Sequence, residues 1–478
     1  MNYRIILYTI GWVLNIEAIC LLLPLVCSVI YGENLVPLYA FCILLCLVFG
    51  FALTLKSPKN KTMFAREGSI AVALSWAALS LFGSFPFVFS GYIPNFADAL
   101  FESVSGFTTT GASILTDVEA LPHSLLLWRS FTHWIGGMGV LVFLVAILPL
   151  CGGKNMHFLR AESTGASVSK LVPKVRTSSL ILYGIYSGLT ILEVIFLLAG
   201  KMPIFDAITL SFGTAGTGGF AIKNSGIAEY SPYLQNVITV FMIIFGIDFS
   251  VYFLILMRKF NSSFRSEEVR AYLGIILVAI FVICLDCRGL YESIGQNITH
   301  SAFQVASIIT TTGYSTVDFD KWNELSKTIL LFLMFIGACA GSTGGGMKVS
   351  RILILLKSVF KEVKLSAHPN RVYKVKLTGR FVEHETMRAV NVYVISYATI
   401  FAVSLLLISL DNFNLTTNFT AIVATINNIG PGFDLVGPTK NFSIYSSFSK
   451  LVMCFDMLVG RLEVFPMLML VFPQTWKK

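Results

Sequence analysis

The sequence predicts an all-α integral membrane protein. Of its 478 residues, 55% are hydrophobic and only 13% are charged, whereas soluble domains usually carry about 25% charged residues. The apolar runs are about 20 residues long and do not alternate with polar residues, which is typical of spanning helices rather than barrel strands. Helices also satisfy their own backbone hydrogen bonds inside a bilayer, where water is absent.

Ten spanning helices are predicted, near residues 5–31, 36–56, 69–90, 124–150, 179–200, 231–257, 271–287, 325–350, 387–410 and 446–472. The first apolar run follows Arg4 but is too long for a signal peptide and lacks a small-residue cleavage site, so we interpret it as a retained helix. The first two helices form an added pair, and the other eight form four pairs.

A short glycine-bearing segment lies within each of the four pairs. The segments read Thr108-Thr109-Thr110-Gly111, Ala215-Gly216-Thr217-Gly218, Thr310-Thr311-Thr312-Gly313 and Asn427-Asn428-Ile429-Gly430. Each follows a helical stretch of about ten residues, which is too short to span a bilayer. Those stretches are predicted at residues 97–107, 206–213, 302–309 and 418–426.

This pattern predicts four pseudo-symmetric repeats of helix, pore loop and helix around a central pore. The predicted units are an N-terminal helix pair at 1–62 and repeats at 63–165, 166–262, 263–375 and 376–478. Any one of the glycine-bearing segments alone is more simply an ordinary turn between helices. The occurrence of four such segments in corresponding places favours the pore.

A potassium ion can cross lipid if rings of backbone carbonyls replace its water shell. Glycine permits the backbone conformations and close approach that such rings need, and threonine adds hydroxyl oxygens. The candidate filter residues are Thr109, Thr110, Gly111, Gly216, Thr217, Gly218, Thr311, Thr312, Gly313, Asn428, Ile429 and Gly430.

A second candidate site is the run of glycines inside the second helix of repeat three. Three consecutive glycines, Gly344 to Gly346, should break that helix within the membrane, which predicts a gate below the filter. The predicted gate residues are Gly341, Ser342, Thr343, Gly344, Gly345, Gly346 and Lys348. A plain helix end in a wide loop is the alternative; a phosphate-binding loop is excluded because Met347 separates Lys348 from the last glycine.

Arg461 belongs to the same predicted gate. An arginine in the middle of an apolar helix costs about 2.5–3.5 kcal/mol on insertion scales, so it needs a partner or water. We expect it to contact carbonyls of the glycine run or Glu463 and to latch the gate; a simple ion pair with Glu463 or Asp456 is the alternative. Asp248 is a candidate for the lining of the inner cavity. Two other acids in apolar runs are expected at helix contacts away from the axis: Glu17 and Glu193.

The formal net charge of +9 reflects membrane topology. Basic residues concentrate in four segments, which are predicted to be cytoplasmic, while the opposite connectors are rich in acids. The distribution argues against nucleic-acid binding and indicates a lipid bilayer as the surrounding medium. The basic segments are 56–66, 154–176, 258–270 and 348–380.

An enzyme is the alternative from another functional class. The six histidines are scattered over loops and helix ends, and Cys284 and Cys287 form a lone pair that lacks further metal ligands. The sequence therefore predicts neither a catalytic site nor an organic cofactor.

Several longer motifs resemble the Trk/Ktr/HKT superfamily of potassium transporters, and within it the membrane subunits of bacterial Trk systems. The resemblance covers nearly the whole chain and includes FTHWIGGM at 131–138, GTGGF at 216–220, GSTGGGMK at 341–348, NNIGPG at 427–432 and GRLE at 460–463. It implies a four-repeat potassium pore with filter glycines at Gly111, Gly218, Gly313 and Gly430. It also implies a gating loop at 341–346 that Arg461 latches.

The resemblance further implies a homodimer in the bacterial inner membrane, paired with a cytosolic, nucleotide-binding regulatory subunit. The basic segment 348–380 is a plausible docking surface for that subunit. The predicted function is potassium uptake, with K+ as the transported ion. Sodium- or proton-coupled symport remains the alternative, in which an intramembrane acid such as Asp248 would take part in coupling.

Overall fold

The computed structural model describes residues 1–58, 63–139, 175–259 and 266–476. In this part of the chain the structure is helical, apart from one small hairpin. The first seven helices are α1 (Tyr3–Cys20), α2 (Leu22–Ile30), α3 (Val36–Thr54), α4 (Ala65–Gly83), α5 (Phe85–Phe89), α6 (Phe96–Phe107) and α7 (His123–Gly137).

The middle of the chain continues with α8 (Val175–Ala199), α9 (Ile204–Gly216), α10 (Pro232–Phe245), α11 (Phe249–Leu256), α12 (Glu267–Asp286), α13 (Ile294–Ile309) and α14 (Glu324–Ile336). The last helices are α15 (Val349–Ala367), α16 (His384–Ile408), α17 (Leu415–Ile426), α18 (Ser447–Leu462) and α19 (Phe465–Val471). Short 3₁₀ helices occupy Phe319–Lys321, Ser409–Asp411, Asp434–Val436, Phe442–Ile444 and Pro473–Trp476.

The hairpin lies between α15 and α16. Strands β1 (Lys376–Leu377) and β2 (Arg380–Phe381) pair antiparallel, with Lys376 opposite Phe381 and Leu377 opposite Arg380. Thr378 and Gly379 both have positive φ at the turn, and glycine adopts that conformation at little cost.

Six helices or helix pairs in the described part of the chain are long and apolar enough to cross a membrane. They are Tyr3–Ile30, Val36–Thr54, Arg66–Phe89, Leu180–Ala199, Glu267–Asp286 and His384–Asp411. Many of their large apolar side chains are exposed, among them Ile19, Leu277 and Leu406, at 65%, 68% and 73%. Contact with lipid tails accounts for such exposure.

Three predicted spans are interrupted helices. The break within 325–350 is the one predicted from the glycine run, whereas the breaks within 231–257 and 446–472 correct the prediction of continuous helices. The span at 231–257 bends by 90° between α10 and α11. The span at 325–350 ends as a helix at Ile336 and resumes at Val349. The span at 446–472 breaks after Leu462, where Glu463 and Val464 have φ of 62° and 55°. For the predicted span at 124–150, α7 supplies the first part, and residues 140–150 lie outside the described residues.

The largest buried cluster joins the N-terminal helices to the C-terminal ones. Residues of α1, α3 and α4 belong to the same apolar cluster as residues of α6, α17 and α18. Burial of this kind contributes about 25 cal/mol per Å² of apolar surface removed from contact with water. The first and last parts of the chain therefore share one core. The short helices α6, α9, α13 and α17 are buried along most of their length.

Candidate functional site

Each of the four short buried helices ends in the same left-handed turn. One residue in each turn is left-handed, with a φ between 54° and 60°. Its backbone N–H bonds to the carbonyl of the residue three positions earlier. The four residues are Thr109, Thr217, Thr311 and Asn428.

The next residue completes the turn by bonding its N–H to the carbonyl five residues earlier, at distances of 2.8 to 2.9 Å. The donors are Thr110, Gly218, Thr312 and Ile429. This pair of bonds is the Schellman motif of helix ends. Glycine usually holds the left-handed position, and a β-branched residue there costs on the order of 1–3 kcal/mol. Three strained threonines in equivalent buried places therefore indicate a functional constraint.

The four segments that follow these helices close into one ring, which we call the loop ring (residues 108–111, 216–219, 310–313 and 427–430). One glycine of each segment lies against a carbonyl oxygen of the next segment. A Cβ atom placed on these glycines would lie 1.9 Å from Gly218 O for Gly111, 1.9 Å from Thr312 O for Gly219, 1.9 Å from Ile429 O for Gly313 and 2.9 Å from Thr110 O for Gly430. Such distances exclude any side chain at the first three positions.

In the second segment, the residues equivalent to those of the other segments lie one position later in the sequence than predicted. The glycine equivalent to Gly111 is Gly219, with φ of +77° against +79°, and the predicted Gly218 corresponds to Thr110 instead. Gly216 is the last residue of α9 and corresponds to Thr108. The other predicted filter residues lie at equivalent places of the ring.

Buried hydroxyl and amide groups connect the segments. Thr108 Oγ1 lies 2.8 Å from Thr110 Oγ1, and Thr310 and Thr312 form the same 2.8 Å pair. Asn428 Nδ2 donates to Thr110 Oγ1 at 2.9 Å, which links the fourth segment to the first. The two hydroxyl pairs lie within single segments, and the Asn428 amide joins the fourth segment to the first.

An ion pair that sequence reasoning missed supports the first and second segments. Glu102 of α6 and Arg129 of α7 are 0% and 2% exposed in their side chains and lie 2.7 Å apart. The guanidinium also donates to the carbonyl of Ala221 at 3.1 Å, and Glu102 accepts from the backbone N–H of Ile114 at 3.1 Å. The sequence feature that could have revealed this ion pair is a charged residue within an apolar helix, which needs a polar partner.

The glycine loop, defined here as residues 337–348, replaces the middle of the predicted eighth span. Its backbone has positive φ at Gly337, Gly341, Gly346 and Lys348, so it is not a helix end in a wide loop but a folded intramembrane turn. The loop packs directly on the ring: Gly345 N donates to Thr311 Oγ1 at 2.6 Å, and Gly346 N donates to Asn427 O at 3.1 Å.

Arg461, in the last turn of α18, joins the loop to α7. Its Nη1 donates to the carbonyl of Thr343 at 2.7 Å, and its Nη2 donates to the carbonyls of Gly136 at 2.6 Å and Gly137 at 3.1 Å. The predicted contact with a carbonyl of the glycine run is therefore present. The alternative was an ion pair of Arg461 with Glu463 or Asp456. In the structure, Glu463 pairs with Arg351, and Asp456 accepts from Ser404 at 2.7 Å.

Glu268 and Lys348 make further contacts with the loop, and Asp248 lies beside Gly341, where a Cβ atom would be 2.5 Å from Asp248 Oδ1. Glu268 Oε1 accepts from Ala340 N at 2.7 Å and from Ser350 N at 3.1 Å, which ties the loop and the start of α15 to α12. Lys348 Nζ donates to Gly344 O. Asp248 lies at the bend between α10 and α11 rather than within a helix, where it accepts from Ser250 N at 2.9 Å.

The remaining predicted acids lie away from the ring. Glu17 of α1 is 2% exposed and packs near Gly83 of α4. Glu193 of α8 is fully buried beside Thr214. Both occupy helix contacts, as expected.

The connectors that follow the first and second segments of the ring carry polar side chains that contact each other, including exposed acids. Asp117 accepts a hydrogen bond from Asn224 Nδ2 at 2.7 Å, and Glu119 accepts from Asn224 N at 2.9 Å. The side-chain amide of Asn224 lowers the pKa of Asp117 below its ordinary value. Among the described residues, no group of three or more histidine, cysteine or acidic side chains is placed to hold a metal ion.

Comparison with known proteins gives a consistent result. The family model described as "TrkH: Cation transport protein" matches residues 38–288 and 290–477. The Trk system potassium uptake protein TrkH of Escherichia coli K12 is 36% identical over 486 residues, covering 100% of both chains. TrkG of the same strain is 31% identical, covering 100% of this chain and 99% of the relative.

A solved structure agrees with these relatives. The crystal structure of the potassium transporter TrkH from Vibrio parahaemolyticus matches with a TM-score of 0.89 and 31% identity over 100% of both chains. All of these names describe transport rather than catalysis, which confirms the prediction that the chain is not an enzyme. The resemblance in the sequence motifs is confirmed as well, and this chain belongs to the TrkH family of cation transport proteins.

Proposed function

We propose that the chain takes up potassium ions across the bacterial inner membrane through a pore whose selectivity filter is the loop ring. The observation that carries this proposal is the closure of the ring. Four segments, separated by long stretches of sequence, contact one another in the order first, second, third, fourth and first again. Ordinary turns between helices have no reason to meet around a common centre.

The chemistry of the ring suits a dehydrated monovalent cation. The ring glycines have positive φ and lie close to carbonyl oxygens of the next segment, and rings of carbonyl oxygens can replace the water shell of K+. The four short helices α6, α9, α13 and α17 also end at the ring, so the negative ends of their dipoles face it. No side-chain carboxylate is needed, since backbone oxygens carry the partial charge.

The glycine loop is the proposed gate. It lies against Thr311 and Asn427 of the ring, and Arg461 connects it to α7. We infer that the loop in this position closes the pore on the cytoplasmic side of the filter. Displacement of the loop requires loss of the Arg461 contact with Thr343.

The proposed assembly is a homodimer bound to a cytosolic, nucleotide-binding regulatory subunit. The relatives are named as parts of a Trk system. The basic segment 348–380 ends in the hairpin of β1 and β2, which offers a docking surface near the glycine loop. The proposed repeats keep the predicted boundaries, with residues 1–62 as the added helix pair.

Reconstitution into liposomes tests the proposal. We expect K+ flux from the wild-type protein, with reversal potentials that follow the K+ gradient alone. Reversal potentials that also depend on Na+ or H+ gradients would favour coupled symport instead. Absence of K+ flux both from the folded wild type and from a folded Arg461→Ala variant, which lacks the proposed latch, would refute the proposal.

A matched pair of variants tests the filter. Gly111→Ser places a Cβ 1.9 Å from Gly218 O, at a φ of +79°. Gly91→Ser imposes the same strain, since Gly91 has φ of +78°, but nothing lies within 4 Å of its Cβ. We expect the first variant to lose K+ over Na+ preference by about tenfold or more and the second to keep it, because displacing one carbonyl changes the ring. Equal behaviour of the two variants would contradict the filter assignment.

A further inference from the structure

The second segment of the loop ring has a glycine at a position where the other three segments have a larger residue. Thr110, Ile429 and Thr312 follow the left-handed residue in three segments, whereas Gly218 follows it in the second. Gly218 does not have positive φ, so its backbone conformation does not require glycine. Some other feature of the structure must account for the missing side chain.

His133 of α7 fills the space that the missing side chain leaves. A Cβ atom on Gly218 would lie 2.3 Å from both Cγ and Nδ1 of the imidazole and 2.5 Å from Cδ2. The ring is fully buried. The imidazole therefore occupies the place that a threonine or isoleucine side chain occupies in the other segments.

The imidazole also makes two hydrogen bonds that connect the first and second segments. Nε2 accepts from the backbone N–H of Phe220 at 3.2 Å, so Nδ1 carries the proton and donates to the carbonyl of Gly106 at 2.8 Å. Gly106 lies in the last turn of α6, and Phe220 directly follows the second segment. His133 thus bridges the end of one short helix and the exit of the neighbouring segment.

Arg129 and Glu102 repeat this bridge one turn away. Arg129 precedes His133 by four residues on α7, and Glu102 precedes Gly106 by four residues on α6, so each pair lies on one helix face. The guanidinium contacts Glu102 and the carbonyl of Ala221, and its carbon lies 4.0 Å from the centroid of the Phe220 ring. The two bridges hold residues 220 and 221 from the same helix.

We propose that His133 is a positioning residue for ion selectivity, which substitutes for the side chain absent at Gly218 and fixes the carbonyls of the second segment. This inference rests on the proposed function of the ring as a filter. It assigns a role to the FTHWIGGM motif beyond its value for recognising the family. Loss of the imidazole would leave a cavity at Gly218 and an unpaired Phe220 N–H, and the Gly106 carbonyl would keep only its bond from Thr109 N at 3.1 Å.

The test measures the K+ to Na+ permeability ratio of reconstituted protein for three variants. His133→Ala is expected to lower the ratio about tenfold, since the buried Phe220 N–H and Gly106 carbonyl lose a partner. Gly218→Thr alone is expected to abolish selective flux, because its side chain collides with the imidazole. The double variant His133→Ala with Gly218→Thr is expected to recover part of the ratio, as interacting neighbours are non-additive.

The outcomes separate this inference from the proposed function. If neither the wild type nor the Arg461→Ala variant carries K+ flux, the proposed function fails. If the wild type is selective and His133→Ala is equally selective, or if the two substitutions have additive effects, the inference about His133 is overturned. If His133→Ala does not fold, recovery of folded, selective protein by the added Gly218→Thr supports the inference, and failure of the double variant overturns it.

Discussion

Removal of the Arg461 side chain should open the pore in the absence of any regulatory partner. Nη1 of Arg461 donates to the Thr343 carbonyl at 2.7 Å, which is the length of a strong, charge-assisted hydrogen bond. Such bonds contribute about 1.5–3 kcal/mol. If this bond forms only while the glycine loop is closed, Arg461→Ala shifts the loop toward the open state by roughly tenfold to 150-fold.

The same side chain also holds the carbonyls of Gly136 and Gly137 at the end of α7, so its loss could act through helix packing. Arg461→Lys addresses this point. A lysine keeps the charge but is a single donor centre without the planar fork of arginine, and it cannot serve both α7 and the loop in the same geometry. We therefore expect basal flux from Arg461→Lys to lie between that of the wild type and that of Arg461→Ala.

The assay is K+ flux into liposomes that contain the purified chain alone, with protein amount checked by size-exclusion chromatography. Arg388→Ala, on the exposed part of α16, is the control for loss of a positive charge on the same chain. The latch reasoning is refuted if folded Arg461→Ala has the basal flux of the wild type. It is also refuted if Arg388→Ala raises basal flux by the same factor.

Two further predictions concern the surroundings of the ring. Glu268→Ala should raise basal flux, because it frees the N–H groups of Ala340 in the glycine loop and of Ser350 at the start of α15. Glu268→Gln keeps an acceptor oxygen and should stay near the wild type in the same flux assay. Equal flux in the two variants would contradict the role of that oxygen. Asn224→Ala should raise the pKa of Asp117 toward its ordinary value, as carboxyl-carbon NMR titration would detect. In the wild type, the contribution of this contact is complete above the ordinary aspartate pKa and is lost as pH falls through the lowered one; an unchanged titration in the variant would contradict this assignment.

Sequence reasoning located the short helices and the glycine run because their signals are local. Stretches too short to span, followed by threonine and glycine, predict a helix that ends inside the membrane, and α6 and α17 begin and end within a few residues of the prediction. Three consecutive glycines likewise predicted the break between α14 and α15. Arg461 was predictable because a mid-membrane arginine requires polar partners.

The register of the second segment was missed because Gly216, Gly218 and Gly219 all satisfy a pattern that only asks for glycine. Alignment on the central threonine would have given the correct residue, since Thr217 and Thr109 share the left-handed conformation at φ of 54°. The 90° bend before Asp248 depends on distant partners: Phe249 N donates to Gly341 O at 3.0 Å, and Cys339 N donates to Gly246 O at 3.1 Å. No local pattern specifies such pairing.

If the loop ring is the filter and the glycine loop is the gate, as proposed, the contacts between them predict that gating and selectivity are linked. The loop donates its hydrogen bonds to Thr311 Oγ1 and to Asn427 O, and these residues belong to the third and fourth segments of the ring. When the loop moves away, the strained turn at Thr311 loses one of the partners that hold it. The first and second segments are instead held by Glu102, Arg129 and His133, which form no hydrogen bond to the glycine loop within the part of the chain that the structure describes. The first and second segments therefore keep their supporting contacts when the loop moves, whereas the third and fourth segments each lose one. A change of selectivity on opening should arise from the third and fourth segments.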